Sequence, residues 1–166
     1  MNIVIIFCAA LIPLLTGFIW YNPKTFANAW MKEIDMTEEK MKNVNMAKIF
    51  GFTFLLSLMF ATLMQVLVIH QVHFFSILAM SKDAADPNSE ASLLLKKIME
   101  LHGNDFRTFK HGAFHGTIGA LFLALPILGI NALFERRSFK YIAIHTGYWM
   151  LTMGLMGGVL CQFIEL

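Results

Sequence analysis

Charged residues are scarce in this chain of 166 amino acids, and their scarcity bears first on the solvent in which it folds. Asp, Glu, Lys and Arg make up 14% of the sequence, against roughly a quarter in soluble domains. The formal net charge is only +2, and no basic stripe with interleaved aromatic residues is present. We therefore expect no nucleic-acid partner. A chain that is 57% hydrophobic is expected to fold in lipid.

Cysteine is almost absent, and the motifs of several enzyme classes are missing altogether. The two cysteines, Cys8 and Cys161, have no CxxC spacing, so we interpret both as small buried hydrophobes. The chain has no Gly-rich phosphate loop, no Gly-x-Ser-x-Gly turn and no His-Glu-x-x-His pair. These absences favour a non-enzymatic protein, and no cofactor is predicted from them.

What the chain does contain is four long apolar stretches, at residues 2–21, 46–69, 114–134 and 141–164. A helix needs about 20 mostly apolar residues to cross the hydrocarbon core of a bilayer, and each stretch reaches that length. Isolated strands would leave backbone groups unpaired in lipid, so the spans must be helical. We predict a single all-α domain over residues 1–166, an integral membrane four-helix transmembrane bundle surrounded by the lipid bilayer.

Basic residues in the loops predict the orientation of these spans. The first and third loops together carry eight Lys and Arg residues, and the second loop carries five. Because cytoplasmic loops are enriched in basic residues, we place the first and third loops in the cytoplasm and both termini outside it.

Two irregularities are predicted within the apolar stretches. A straight helix from residue 46 to residue 80 would be longer than the hydrocarbon core, so the chain is expected to leave the core near Ile69 and His70. Pro126 is expected to kink the third span near its middle.

The segment 81–109, between the second and third spans, is the part that resembles a soluble protein. Asp86-Pro87 is typical of a helix start and Gly103 of a helix end, which predicts a helix that runs to His102. We expect this helix to be amphipathic and to lie on the membrane or the bundle, or to dock a partner. Its apolar stripe consists of Leu94, Ile98 and Leu101.

Small residues recur at helical spacing in the third and fourth spans. Such spacing lets two helix backbones approach closely, which drives helix association in lipid. We predict that these residues pack the four helices together, with self-association through the fourth helix as the alternative. They are Gly112, Gly116, Gly147, Gly154 and Gly158.

Four histidines are predicted at the outer end of the bundle. His70 and His73 lie three residues apart at the end of the second span, and His111 and His115 lie four apart at the start of the third. Antiparallel helices would bring both pairs to a similar depth. Four imidazoles at one level are able to bind zinc or copper, or to supply a haem axial pair. The alternative is that they only hydrogen-bond the backbone or lipid headgroups.

A second polar group is predicted at the cytoplasmic end. Asn131 and Glu135 lie four residues apart at the end of the third span, and His145 and Tyr148 lie three apart at the start of the fourth. Together with Tyr21 they form a polar cluster. Glu135 next to His145 would be a proton-handling pair, and the alternative is a structural hydrogen-bond network.

Three short motifs give the chain a resemblance to a known family. They are Trp20-Tyr21-Asn22-Pro23, the run Asn-Ala-Leu-Phe-Glu-Arg-Arg at residues 131–137, and Gly147-Tyr148-Trp149. These motifs resemble those of a bacterial membrane family catalogued as domain of unknown function 1761. The resemblance covers nearly the whole chain apart from 81–109. It implies a small multi-span protein of the bacterial inner membrane and supplies no known activity.

The function that these patterns favour is that of a non-enzymatic accessory or packing subunit. Such a subunit would form a homo-oligomer or attach to a larger membrane complex. One alternative is a redox or metal-binding membrane protein that uses the four outer histidines. Another is a proton-coupled small-molecule carrier that uses Glu135 and His145.

Overall fold

A computed structural model describes residues 2–42, 44–78, 81 and 85–166 of the chain, and these residues form helices and no β-strand. The long helices are α1 (Ile3–Trp20), α4 (Met46–Val68), α7 (Phe109–Gly119), α8 (Leu125–Phe134) and α9 (Phe139–Phe163). The short helices are α2 (Ala27–Glu33), α3 (Glu38–Met41), α5 (Gln71–Leu78) and α6 (Glu90–His102). The all-α prediction is confirmed for the described residues.

Three helical segments of the described chain are long and apolar enough to cross a membrane, namely Ile3–Trp20, Met46–Val68 and Phe109–Phe134. The fourth predicted span forms α9, which has 25 residues but carries polar ones such as Thr146 and Thr152. Helix α9 lies at the centre of the bundle against α1, α4 and α7, and eleven of its residues are buried. Because Thr146 and Thr152 are buried within the bundle, they do not lie on the outer surface that the other long helices present.

The long helices run alternately up and down. The Trp20 indole donates a hydrogen bond to the Ile144 carbonyl oxygen at 3.1 Å, and the Thr16 and Thr152 hydroxyls are 2.7 Å apart, so α1 is antiparallel to α9. We call the end of the bundle that carries His70 the histidine end. The opposite end, with the turn between α8 and α9, is called the hairpin end.

Glycines allow α7 and α9 to approach each other closely. A Cβ atom on Gly112 would lie 2.2 Å from the carbonyl oxygen of Gly157, and one on Gly116 would lie 2.0 Å from that of Met153. Both distances are far below van der Waals contact, so any other residue would push the two helices apart. The α7–α9 contact therefore depends on these glycines.

The other predicted glycines also face groups of the same chain. A Cβ on Gly147 would meet the Trp20 ring, and Cβ atoms on Gly154 and Gly158 would meet the Thr117 hydroxyl and the Phe109 ring. The glycine face of α9 is thus occupied by the chain's own α1 and α7. These glycines therefore pack helices of one chain together, and self-association through the fourth helix stays a prediction.

The second long helix ends close to the residues predicted to leave the hydrocarbon core, and a break that the sequence did not predict follows it. Helix α4 ends at Val68, Ile69 is extended with φ −117° and ψ 103°, and α5 begins at Gln71. His70 therefore lies at the break itself. The irregularity predicted at Pro126 takes the form of a π-helical turn over Ala120–Ala124, just before the proline. The wider turn accommodates a residue that has no amide hydrogen to donate.

Helix α6 begins at Glu90, so the predicted start at Asp86-Pro87 is wrong. The Asp86 carboxylate instead accepts a hydrogen bond from the Asn88 amide at 2.9 Å and forms a turn ahead of the helix. Ser89 is the true N-cap, and its hydroxyl accepts from the Ser92 amide at 3.2 Å. The helix ends at His102, as predicted, and Leu94 and Leu101 of its apolar stripe are exposed.

Candidate metal centre

Three of the four predicted histidines meet at the histidine end of the bundle. One ring nitrogen from each of His70, His111 and His115 lies within 4.8 Å of the other two. The closest pair is His70 Nε2 and His111 Nε2, 2.9 Å apart, which is a hydrogen bond between two imidazoles. We call this group the three-histidine site.

The local sequence explains why α7 presents two of these histidines side by side. His111-Gly112 and His115-Gly116 repeat at four residues, close to one helical turn. Each glycine is buried against α9, and the histidine before it falls on the neighbouring face of α7. The spacing that packs the helix therefore also orients the two imidazoles in the same direction. His70 reaches them because the helix breaks at Ile69.

Phe106 covers part of the three-histidine site and was not predicted. It has a left-handed φ of 60°, uncommon outside glycine, and its ring stacks on His111 with centroids 5.1 Å apart. Its carbonyl oxygen accepts hydrogen bonds from the Thr108 amide at 2.8 Å and from the buried Cys161 thiol at 3.5 Å. The other cysteine, Cys8, is exposed, contrary to the prediction.

His73, the fourth predicted ligand, does not belong to this group. It is exposed on α5, and the group formed among the described residues contains only the other three histidines. The arrangement also does not fit a haem axial pair. Two axial nitrogens bind on opposite sides of the macrocycle, whereas His70 Nε2 and His111 Nε2 contact each other directly at 2.9 Å.

The polar cluster predicted at the hairpin end is only partly assembled. The Tyr21 hydroxyl and His145 Nδ1 are 2.9 Å apart, and the Tyr148 hydroxyl donates to the Pro13 carbonyl oxygen at 2.8 Å. The rings of Tyr21 and Tyr148 also pack together, with centroids 5.4 Å apart. These contacts join α1 to α9 and form a structural network.

Glu135 and Asn131 lie outside that network, so the predicted Glu135–His145 pair is wrong. The reason is the end of α8, where Arg136 has a left-handed φ of 56° and the Arg137 amide donates to the Ala132 carbonyl oxygen at 2.8 Å. This turn directs Glu135 outwards, where it is exposed and lies 3.8 Å from Arg137. Asn131 is exposed as well.

Comparison with known proteins adds one finding to this geometry. The sequence profile of the family described as "Protein of unknown function (DUF1761)" matches residues 4–161. The chain belongs to the DUF1761 family. The match covers nearly all of the long helices and both polar regions. No curated protein and no solved structure matches the chain.

In this DUF1761 chain, the first and third motifs contact each other. The Trp20 ring lies against Gly147, and Tyr21 contacts Tyr148 as described above. The second motif instead contacts α2 at Glu33, a residue that was not predicted from the sequence. Arg137 Nη1 donates to the Glu33 backbone carbonyl oxygen at 3.4 Å.

Glu33 holds α2 against the start of α9. Its carboxylate accepts a hydrogen bond from the Ser138 hydroxyl and lies 3.4 Å from Lys140 Nζ. The Ser138 hydroxyl, and then Lys140, hold the pKa of Glu33 below its ordinary value of 4.5. No local pattern identifies Glu33 as the partner of residues more than a hundred positions away. Only the packing of α2 beside the α8–α9 turn creates the contact.

This pKa shift predicts how stability depends on pH. Since folding lowers the pKa, the contribution of the Glu33 carboxylate is fully present above about pH 4.5 and is lost as the pH falls through the folded value. Glu33→Gln is therefore expected to lower the thermal midpoint of unfolding at pH 7, and the difference from wild type should shrink as the pH falls below about 4.5. Thermal unfolding of detergent-solubilised protein at several pH values measures this difference in midpoint.

Glu135→Gln is the matched control, because Glu135 is exposed and its carboxylate lies as far as 3.8 Å from Arg137 Nε. It should leave the midpoint nearly unchanged at every pH. A gap between wild type and Glu33→Gln that widens in acid would contradict the assigned contact.

Proposed function

We propose that this protein is a metal-binding integral membrane protein that holds one divalent transition-metal ion, such as Zn²⁺, at His70, His111 and His115. The observation that carries the proposal is the convergence of three imidazole nitrogens within 4.8 Å from two separate chain segments. Imidazole is a preferred ligand of zinc, copper and nickel.

The distance between His70 and His111 is close to the one that a metal needs, and the nitrogen of His115 lies within 4.8 Å of both. Tetrahedral zinc with Zn–N bonds of 2.0–2.1 Å holds its nitrogens about 3.3 Å apart. His70 Nε2 and His111 Nε2 are 2.9 Å apart in a hydrogen bond, so they need to separate by only a few tenths of an ångström. The ion would replace the proton that the two imidazoles share. Three protein ligands leave a fourth position for water or another small ligand, as in catalytic and transfer sites.

The bilayer is part of the proposal. We infer that α1, α4, α7–α8 and α9 cross it as four spans, with α9 shielded from lipid by the other helices. The distribution of basic residues supports a topology in which the hairpin end lies in the cytoplasm of a bacterium. The histidine end, the three-histidine site and both termini would then lie on the outer side of the inner membrane.

The other functions considered from the sequence have less support. A self-associating accessory subunit loses the glycine face as its docking surface, because that face packs within the chain. A carrier based on Glu135 and His145 loses its proton pair, because the two side chains are not in contact and Tyr21 is the partner of His145. The three-histidine site, by contrast, brings together side chains that are able to bind a metal ion.

Zinc titration tests the proposed function. Protein purified in mild detergent and stripped with a chelator is titrated with Zn²⁺ against a chromophoric zinc competitor. We expect one ion per chain, and Co²⁺ in the same site should give the visible absorption of a low-coordinate cobalt–imidazole complex. Binding should weaken as the solution is acidified, because metal ligands must be deprotonated and protons compete with the ion. Failure to bind either ion in stoichiometric amount would refute the proposal.

A further inference from the structure

Helix α6 is attached to the bundle mainly at its C-terminal end. None of its residues is buried, and its helical neighbour is α5. At its end, the side-chain amide of Gln71 donates to the carbonyl oxygens of His102 and Asp105, both at 2.9 Å. Gln71 is only 3% exposed, so the donor side of these two hydrogen bonds is buried in the protein.

Gln71 is also the residue that follows His70 in the chain. His70 occupies the break between α4 and α5, where the backbone is not held by a continuous helix. Whatever fixes the His70 ring against α7 also fixes the peptide that carries Gln71. Gln71, which anchors the end of α6, and His70, a proposed metal ligand, are therefore adjacent in the chain.

A second connection runs through Phe106, the residue after Asp105. Its ring stacks on His111 and meets His70 edge-on, with centroids 6.2 Å apart. The turn after α6 is thus held on one side by Gln71 and on the other by a ring in contact with two of the three histidines. Both connections lead from the three-histidine site to the end of α6.

We propose that Gln71 is a positioning residue that couples the three-histidine site to α6, so that a bound metal ion fixes this helix against the bundle. The inference rests on the proposed function. Without metal, His70 is held to α7 through one hydrogen bond between imidazoles. With metal, three coordinate bonds join the α4–α5 break to α7, and the two amide hydrogen bonds of Gln71 transmit that restraint to His102 and Asp105. The exposed apolar stripe of α6 is then held in one orientation relative to the bundle.

Hydrogen exchange with and without zinc tests the coupling. In the wild type, saturating Zn²⁺ should slow amide exchange in residues 97–105 about tenfold, since opening of this segment would then have to break the metal-restrained contacts. Gln71→Met keeps the size of the side chain and removes the amide donor. It should still bind zinc, with an affinity lowered about tenfold or less, and should lose the zinc-dependent slowing. Gln162→Met, at an exposed glutamine of α9, is the matched control and should behave like the wild type.

Exchange in the core of α9 reports whether each variant is folded. If Gln71→Met does not fold, Phe106→Leu takes its place, because it removes the ring contact with His111 and His70 and should also reduce the slowing. Wild-type protein that binds zinc without any change in α6 overturns the coupling and leaves the metal site standing. The coupling is also overturned if zinc slows amide exchange of residues 97–105 in Gln71→Met as much as in the wild type. Where Gln71→Met does not fold, the same result in Phe106→Leu overturns it. Wild-type protein that binds no zinc overturns both proposals.

Discussion

Alanine in place of His111 is expected to weaken zinc binding by at least about 100-fold, because removing even an outer-shell partner of a metal ligand costs 10- to 100-fold. His111 is the central ligand, since its Nε2 contacts His70 and its ring lies 4.4 Å from that of His115 between centroids. His115→Ala should have a similar effect. Competition against a chromophoric chelator at fixed pH measures both affinities.

His73→Ala is the matched control for these substitutions. His73 is exposed and lies outside the three-histidine site, so its loss should change the zinc affinity less than twofold or so. Both α7 variants should remain folded, because that helix packs against α9 through Gly112 and Gly116 rather than through its histidines. An affinity that depends on His73 as strongly as on His111 would show that the metal binds in another arrangement.

Gly116→Val is expected to have the largest effect on folding. Its Cβ would start 2.0 Å from the Met153 carbonyl oxygen, a backbone atom that cannot rotate away, so α7 and α9 would have to separate. Overpacking of this kind costs 1–3 kcal/mol or more, and loss of the surrounding contacts raises the expected cost to about 4 kcal/mol. Thermal or denaturant unfolding in detergent, followed by circular dichroism, measures the change.

Gly51→Val is the natural comparison, because a Cβ on Gly51 in α4 would meet nothing within 4 Å. The same chemical change should there leave the unfolding midpoint close to that of the wild type. If the two variants unfolded together, the α7–α9 contact would not be the one that limits stability. A loss of zinc affinity in Gly116→Val is also expected, since displacement of α7 moves His115 away from His70.

The sequence indicated several elements correctly because their signals are local. The length of the apolar runs predicts long helices, and the length of a helix relative to the hydrocarbon core predicts that the chain leaves the core near Ile69. Helix α4 ends at Val68, and the break that follows it was not predicted. The end of α6 at Gly103 also matched, whereas its start did not, because Asp86 and Ser89 are both good caps and only one begins the helix.

The candidate sites show where local reasoning stops. Histidines at positions 111 and 115 share a helix face by spacing alone, and spacing likewise predicts that both His70 and His73 join them. The helix break orients His70 towards α7 and leaves His73 exposed. In the same way, their similar depth predicts that Glu135 and His145 are partners, yet the left-handed turn at Arg136 directs Glu135 outwards. Gln71, Phe106 and Glu33 carried no sequence signal at all.

The sequence by itself determined that this chain forms long apolar helices, and that glycines and histidines alternate at helical spacing on the third. Those properties depend on hydropathy and on residues within a turn or two of each other. Only the tertiary structure decided which distant groups meet: Gly112 with Gly157, His70 with His111, and Gln71 with the end of α6. Such pairings depend on the register between packed helices and on single backbone dihedral angles in the turns, which local spacing does not specify.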